Sequence, residues 1–298
     1  MDRTDAFSAY HPAVSFVYFT AVIFFSAFTM HPAVLITSAV CSSVYYITLN
    51  GRKAVLPLLK AVLPLLLITV IINPVMSNQG NTVLFRLPWH RNFTLESTLY
   101  GLAAGIMLLS LLLWFFNLSK VLTADKFLYL SGAFLPSLSL IITMSLRFIP
   151  LFKDRFIKVA EMQAATGNDI HNGGIRKRIK IGVTCLLSVI SWSLENSVQT
   201  ADSMKSRGYG TGKRTSYSVF RFEDRDRNAL IFISVCIFFL ICAAAKGSFT
   251  WSYFPVLSAS SCDIVDITAV TAYFMLCIFP VYTDKKEERT WKLLKYAR

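Results

Sequence analysis

The feature that most restricts what this chain can become is a set of apolar runs close to the length that crosses a bilayer. A helical span needs about 20 predominantly apolar residues. Six stretches approach that length: 14–28, 34–49, 54–72, 99–118, 229–245 and 264–281. A soluble core would show shorter runs broken by polar faces. The composition agrees, with 54% hydrophobic and only 16% charged residues over 298 positions, far from the usual soluble balance. The fold class expected is therefore an all-α integral membrane protein with about six transmembrane helices. The tetrapeptide "HPAV" precedes each of the first two runs, at 11–14 and 31–34. Proline suits the first helical turn, where its missing N–H has no partner to lose. In the third run, Pro57 and Pro64 predict a kink, and "NPVMSNQG" at 73–80 reads as the turn that closes it. In the fourth, Gly101, Ala104 and Gly105 would admit a second helix at close range.

The net charge is +13, but the cations fall in blocks between apolar runs. That is a topology signal, not the continuous basic stripe of a nucleic-acid binder. With both termini cytoplasmic and six spans, Arg52, Lys53, Lys60, Lys120, Lys126 and the block 147–227 all fall inside, that block holding about half of the Lys and Arg. The expected organisation is a four-span bundle at 1–119, cytoplasmic or interfacial coupling helices at 120–227, a transmembrane hairpin at 228–283 and a basic cytoplasmic tail at 284–298.

The central block predicts three helices. A short one, capped by Thr123 or Asp125, ends near Gly132. A second runs from about Ser137 to Gly167, and a third from about Ile175 to residues 204–207, ended by Gly208. The two long helices are amphipathic, with charged ends and apolar stretches short for a span. Each closes on a glycine, in "EMQAATG" (161–167) and "SMKSRG" (203–208), so the preceding residue sits at an exposed tip. Arg207 at such a tip has two readings: a cation capping its own helix, or a forked donor for a carboxylate on another molecule.

Catalytic chemistry finds little purchase. In "GYGTGKRT" the phosphate-loop pattern requires glycine where Arg207 stands, and the stretch closes a helix instead of opening one. Six cysteines, Cys41, Cys185, Cys236, Cys242, Cys262 and Cys277, form no C-x-x-C pair, and four histidines are scattered. Asp263 and Asp266 read as a helix start. No cofactor, metal or catalytic site is expected.

Taken with "HPAVSFVYF", "NPVMSNQGNTVLF", "LRFIPLF", "EMQAATG" and above all "ADSMKSRGYGTGKRT" at 201–215, the chain resembles the transmembrane T-component of energy-coupling factor transporters. The resemblance covers nearly the whole chain. It implies a multi-pass membrane scaffold that couples ATP hydrolysis by cytoplasmic ATPase subunits, expected to be two, to movement of a substrate-binding membrane subunit for vitamin or metal-ion uptake. In that family two Ala-Arg-Gly-like motifs end the coupling helices and dock the ATPases. Ser206, Arg207 and Gly208 match the second. Ala165, Thr166 and Gly167 stand where the first should be, with Thr166 in place of the arginine. That contact then falls to Thr166 and backbone, to Lys158, or to the 176–178 run. The rival readings are a self-contained permease with Asn73, Glu195 and Asn196 lining a pore, and a membrane protein docking some other soluble partner through its basic block.

Overall fold

The computed structural model describes residues 6–51, 55–76, 82–86, 92–168, 174–212, 220–247, 249, 251–254, 258–259 and 264–296. Its helices are α1 (Pro12–Phe28), α2 (Pro32–Asn50), α3 (Val55–Met76), α4 (Leu95–Val121), α5 (Ala124–Phe134), α6 (Pro136–Ala165), α7 (Ile175–Ser206), α8 (Asp224–Ala245) and α9 (Ile264–Tyr296). Two small antiparallel hairpins, β1 (Val83–Arg86) with β2 (Asn92–Thr94) and β3 (Trp251–Ser252) with β4 (Ser258–Ala259), sit in the connections before α4 and α9. The molecule is an all-α membrane protein in which the hairpins are loop decoration.

Among the described residues, six helices are long and apolar enough to cross a membrane: α2, α3, α4, α7, α8 and residues Ile264–Thr290 of α9. Five carry runs expected to span. The sixth expected run forms α1, which has 17 residues and a length of roughly 25 Å, the short end of the spanning range. The helix α7, expected as a coupling helix, meets the length and composition criterion instead. The expected closure of the third run moves too. Asn73 and Pro74 are inside α3, which continues to Met76. The Asn73 side chain donates to the Thr69 carbonyl at 3.1 Å, on the face turned toward Gly101 of α4. The polar stretch 284–298 is helical as far as Tyr296, as the last turns of α9. Its Lys292–Glu288 pair, 3.2 Å apart, has the spacing that supports a helix.

The chain divides into two compact units, residues 1–127 with 220–298, and residues 128–219. In the first, α1 is the core. Val14, Tyr18, Phe19 and Val22 are fully buried, with Trp114 of α4, Tyr45 of α2 and Tyr273 of α9 among their partners. Polar groups stitch these helices where lipid offers no alternative. Ser26 shares hydrogen bonds with Ser38 at 2.9 Å and Ser110 at 3.0 Å, and the Trp114 indole N–H donates to Ser38 at 3.0 Å. The α3–α4 contact works by close approach. A Cβ on Gly101 would lie 2.9 Å from the Thr69 carbonyl oxygen, and one on Gly105 would collide with the Thr69 hydroxyl. That is the role expected of these two glycines.

Lysines and carboxylates fix the ends. Lys120 donates to the Leu49 carbonyl at 2.7 Å and Asn50 Oδ1 at 2.9 Å, closing the C-terminus of α2. The nearly buried Lys126 donates to the Ser8 carbonyl at 2.6 Å and the Val121 carbonyl at 2.9 Å. Asp226 accepts the His11 N–H at 3.0 Å and, within the capping box of α8, the Glu223 N–H at 3.1 Å.

Candidate functional site

The second unit contains both predicted tips, and they are built alike. At the end of α6, the Asn168 N–H reaches back to the Gln163 carbonyl (2.9 Å) and the Gly167 N–H to that of Ala164 (3.0 Å). At the end of α7, the Tyr209 N–H reaches the Met204 carbonyl (3.0 Å) and the Gly208 N–H that of Lys205 (2.9 Å). Both are Schellman closures, which satisfy the last helical carbonyls by turning the chain through a left-handed residue. That residue is Gly167 with φ +86° in one and Gly208 with φ +78° in the other, a conformation costly for any residue with a Cβ. Thr166 and Arg207 therefore occupy the same position in the same turn, and both are exposed.

Their side chains differ. The Thr166 hydroxyl donates to the Gln163 carbonyl at 2.8 Å, so it serves its own helix. Ser206 does the same toward Ser203 at 2.9 Å. Among the described residues, the Arg207 side chain has no hydrogen-bond or ion-pair partner within the chain. Its forked guanidinium stands over a helix C-terminus that is already closed by backbone, a place where a cation is electrostatically favoured. Beyond it the chain keeps turning, through Gly210 at φ +93° and a Thr211 hydroxyl bonded to the Gly208 carbonyl at 2.7 Å. Lys213, which the phosphate-loop reading would need, lies outside the described residues.

The two helices meet at an aromatic contact that sequence reasoning missed. Phe152 lies edge-on to Trp192, ring centroids 6.3 Å apart, and the Arg155 guanidinium sits 4.8 Å above the Trp192 ring. Phe148 stacks on Phe152 at 5.7 Å. The i, i+4 spacing of the two phenylalanines was the available signal. Ile181, Cys185 and Val189 form the buried stripe of α7. From Phe152 and from Trp192 the respective tips lie about four turns further on, roughly 20 Å of helix in each case. Large apolar side chains elsewhere on both helices are exposed, among them Ile141, Ile149, Leu187, Leu194 and Val198. Of the polar residues considered for a pore, Asn73 is committed to the α3–α4 contact and Glu195 is exposed on α7, 3.4 Å from Gln199.

Six apolar helices of spanning length among the described residues, five in the first unit and α7 in the second, define a multi-pass membrane protein, and the α6–α7 pair adds two matching exposed ends. The family model described as "cobalt transport protein", CbiQ, matches residues 9–217, more than two thirds of the chain. The chain belongs to this family and is similar to the transmembrane components of energy-coupling factor transporters. It is 30% identical over 210 residues to the energy-coupling factor transporter transmembrane protein EcfT of Listeria innocua, covering 64% of this chain and 77% of that one. With EcfT of Streptococcus equi it is 27% identical over 192 residues, 59% of this chain and 69% of the relative. With EcfT of Lactobacillus helveticus it is 31% identical over 105 residues, and there the match spans only 38% of the relative's length.

Proposed function

We propose that this chain is the scaffold that carries motion from cytoplasmic ATPase subunits to a substrate-binding membrane subunit, in the uptake of a vitamin or a metal ion. The observation that carries the reading is the repeated Schellman tip, with an exposed arginine lacking a partner at one end. A helix end already satisfied by its own backbone has no structural need of that arginine. A guanidinium held at a fixed exposed turn suits a carboxylate or carbonyl groove on a soluble motor. Ala165, Thr166 and Gly167 form the corresponding contact at the other tip through backbone and shape, because the Thr166 hydroxyl is spent on Gln163. The two tips are then chemically unequal, which suits two ATPase subunits that differ at the docking groove.

The basic loops support a cytoplasmic side for both termini and for the tips. The exposed apolar faces of α6 and α7 fit a membrane-embedded partner better than water. ATP hydrolysis belongs to the partners in this reading, and the purified chain alone turns over no ATP.

Co-purification of the ATPases with Arg207→Ala, Arg207→Lys and Thr166→Ala, at matched membrane expression, tests the assignment. Stranding one partner of a desolvated charged contact costs about 2–5 kcal/mol, at least about thirtyfold in affinity. Arg207→Ala should lose the ATPases and uptake, Arg207→Lys should recover part of both, and Thr166→Ala should do least. Wild-type retention by Arg207→Ala refutes docking through this tip.

A further inference from the structure

The chain passes between its two units at 127–128 and again at 219–220. Both crossings have a root in the first unit, and both roots are fastened to the same short segment, residues 7–11. This segment opens with a 3₁₀ turn, Phe7–Ala9, whose Phe7 ring is fully buried. The ring packs edge-on against Tyr18 and Phe19 of α1 and Phe279 of α9, with centroids 5.2, 6.2 and 6.1 Å away. The Phe7 N–H donates to Asp284 of α9 at 3.2 Å. Aromatic burial and a capping carboxylate therefore seat the segment in the bundle.

The first root is the link from α4 to α5. Lys126 stands beside the crossing, nearly buried, with three N–H groups to satisfy. It donates to the Ser8 carbonyl at 2.6 Å, the Ser8 hydroxyl at 3.3 Å and the Val121 carbonyl at 2.9 Å. The second root is the start of α8. Buried Asp226 accepts the Glu223 N–H through Oδ2 at 3.1 Å, within the capping box, and the His11 N–H through Oδ1 at 3.0 Å. The bond to His11 is additional to what capping requires. Phe222 also lies edge-on to the His11 ring at 5.4 Å, and the Arg225 guanidinium lies 4.5 Å over the Tyr10 ring. Each root thus places a buried charge on one short turn. Breaking either contact leaves a desolvated group without its partner.

We infer that residues 7–11 are a shared anchor, and that Lys126 and Asp226 are positioning residues that make the two roots yield together instead of singly. Its use in transport rests on the scaffold reading above. Load entering through either connection is borne by both, and it reaches the bundle instead of slackening one link.

Hydrogen exchange of the full chain in nanodiscs, with no ATPase present, tests the anchor. The Phe127 N–H, bonded to the Thr123 carbonyl at 3.1 Å, reports on the first root. The Arg227 N–H, bonded to the Glu223 carbonyl at 3.1 Å, reports on the second. Lys126→Met should quicken exchange at Arg227, and Asp226→Asn at Phe127, each by at least about twofold, the low end of coupling within one network. The two factors should be comparable, because coupling between sites is reciprocal. Lys120→Met, which breaks a similar clasp on Leu49 and Asn50 of α2, should change neither. The Gly51 N–H, bonded to the Ile47 carbonyl at the end of α2, should keep its rate in the Lys126 and Asp226 variants. Quickening confined to each variant's own root, or spread equally to Gly51, overturns the shared anchor. In the assembled transporter, Lys126→Met should keep the ATPases bound, its tips being untouched, and lose uptake per ATP hydrolysed. Unchanged uptake per ATP overturns the positioning role. The exchange measurement needs no ATPase, so its failure is distinct from a failure of docking through Arg207.

Discussion

The tip glycines carry a conformational demand that single substitutions can expose. A left-handed φ costs an L-residue about 1–2 kcal/mol, so Gly208→Ala and Gly167→Ala should each weaken their Schellman turn. The Tyr209 and Asn168 amides are the reporters, because each donates the long bond of its turn. Hydrogen exchange at these amides should quicken roughly tenfold in the matching variant. Gly212→Ala, where the backbone is not left-handed and nothing lies within 4 Å of the added carbon, should leave both unchanged. His31 makes a different demand. Its ring is set edge-on against Trp251, centroids 5.5 Å apart, with Nδ1 buried and unpartnered. Burial lowers its pKa, and Asp266 opposes that only in part. The unfolded chain therefore takes up the His31 proton at a higher pH than the folded chain. The stability this contributes is complete above the unfolded value of about 6.5 and is lost as pH falls toward the lower folded value. Thermal unfolding in detergent at pH 7.5 and 5.5 should show the drop, and His31→Asn should flatten it.

Among the elements, α3 hangs on α4 through two missing side chains. Gly101→Ala places a carbon 2.9 Å from the Thr69 carbonyl oxygen, part of a helix backbone that cannot give way locally. Overpacking of this kind costs about 1–3 kcal/mol, and the melting temperature in detergent should fall accordingly. Removing the Gly105 clash by Gly105→Ala with Thr69→Gly should be milder than Gly105→Ala alone. This contact was legible in the sequence because small residues in a spanning run have few other uses. The closures of α6 and α7 were legible too, since glycine after a charged amphipathic helix has a narrow set of roles. The reach of α9 was not. Its last turns look like a solvated tail because their charges outweigh their apolar residues, and only pairing such as Lys292–Glu288 marks them as helix. The extension of α3 through Asn73 and Pro74 was hidden for a related reason. "NPV" is a turn signal in water, while inside a bundle the Asn73 side chain bonds back to its own helix and the turn gains nothing. The β1–β2 hairpin left no sequence signal, its strands of four and three residues being too short for the alternation that marks a pleated face. The clasp of Lys126 on Ser8 was beyond sequence altogether, because it joins positions distant in the chain.

For the whole molecule, the proposed orientation gives a test that no local contact supplies. A membrane-impermeant thiol reagent should reach Asn81→Cys from one side and Lys285→Cys from the other, and labelling of both from the same face would reject six spans with cytoplasmic termini. The helix pair α6 and α7 carries a mechanical consequence. Its contact at Phe152, Trp192 and Arg155 lies about 20 Å of helix from each tip, and in the proposed coupling it would act as a fulcrum between two arms of nearly equal length. A beam pivoted near its middle neither amplifies nor reduces displacement. In the proposed docking, a stroke delivered at Arg207 would reappear at Thr166 with the same amplitude, and neither motor would advance without loading the other.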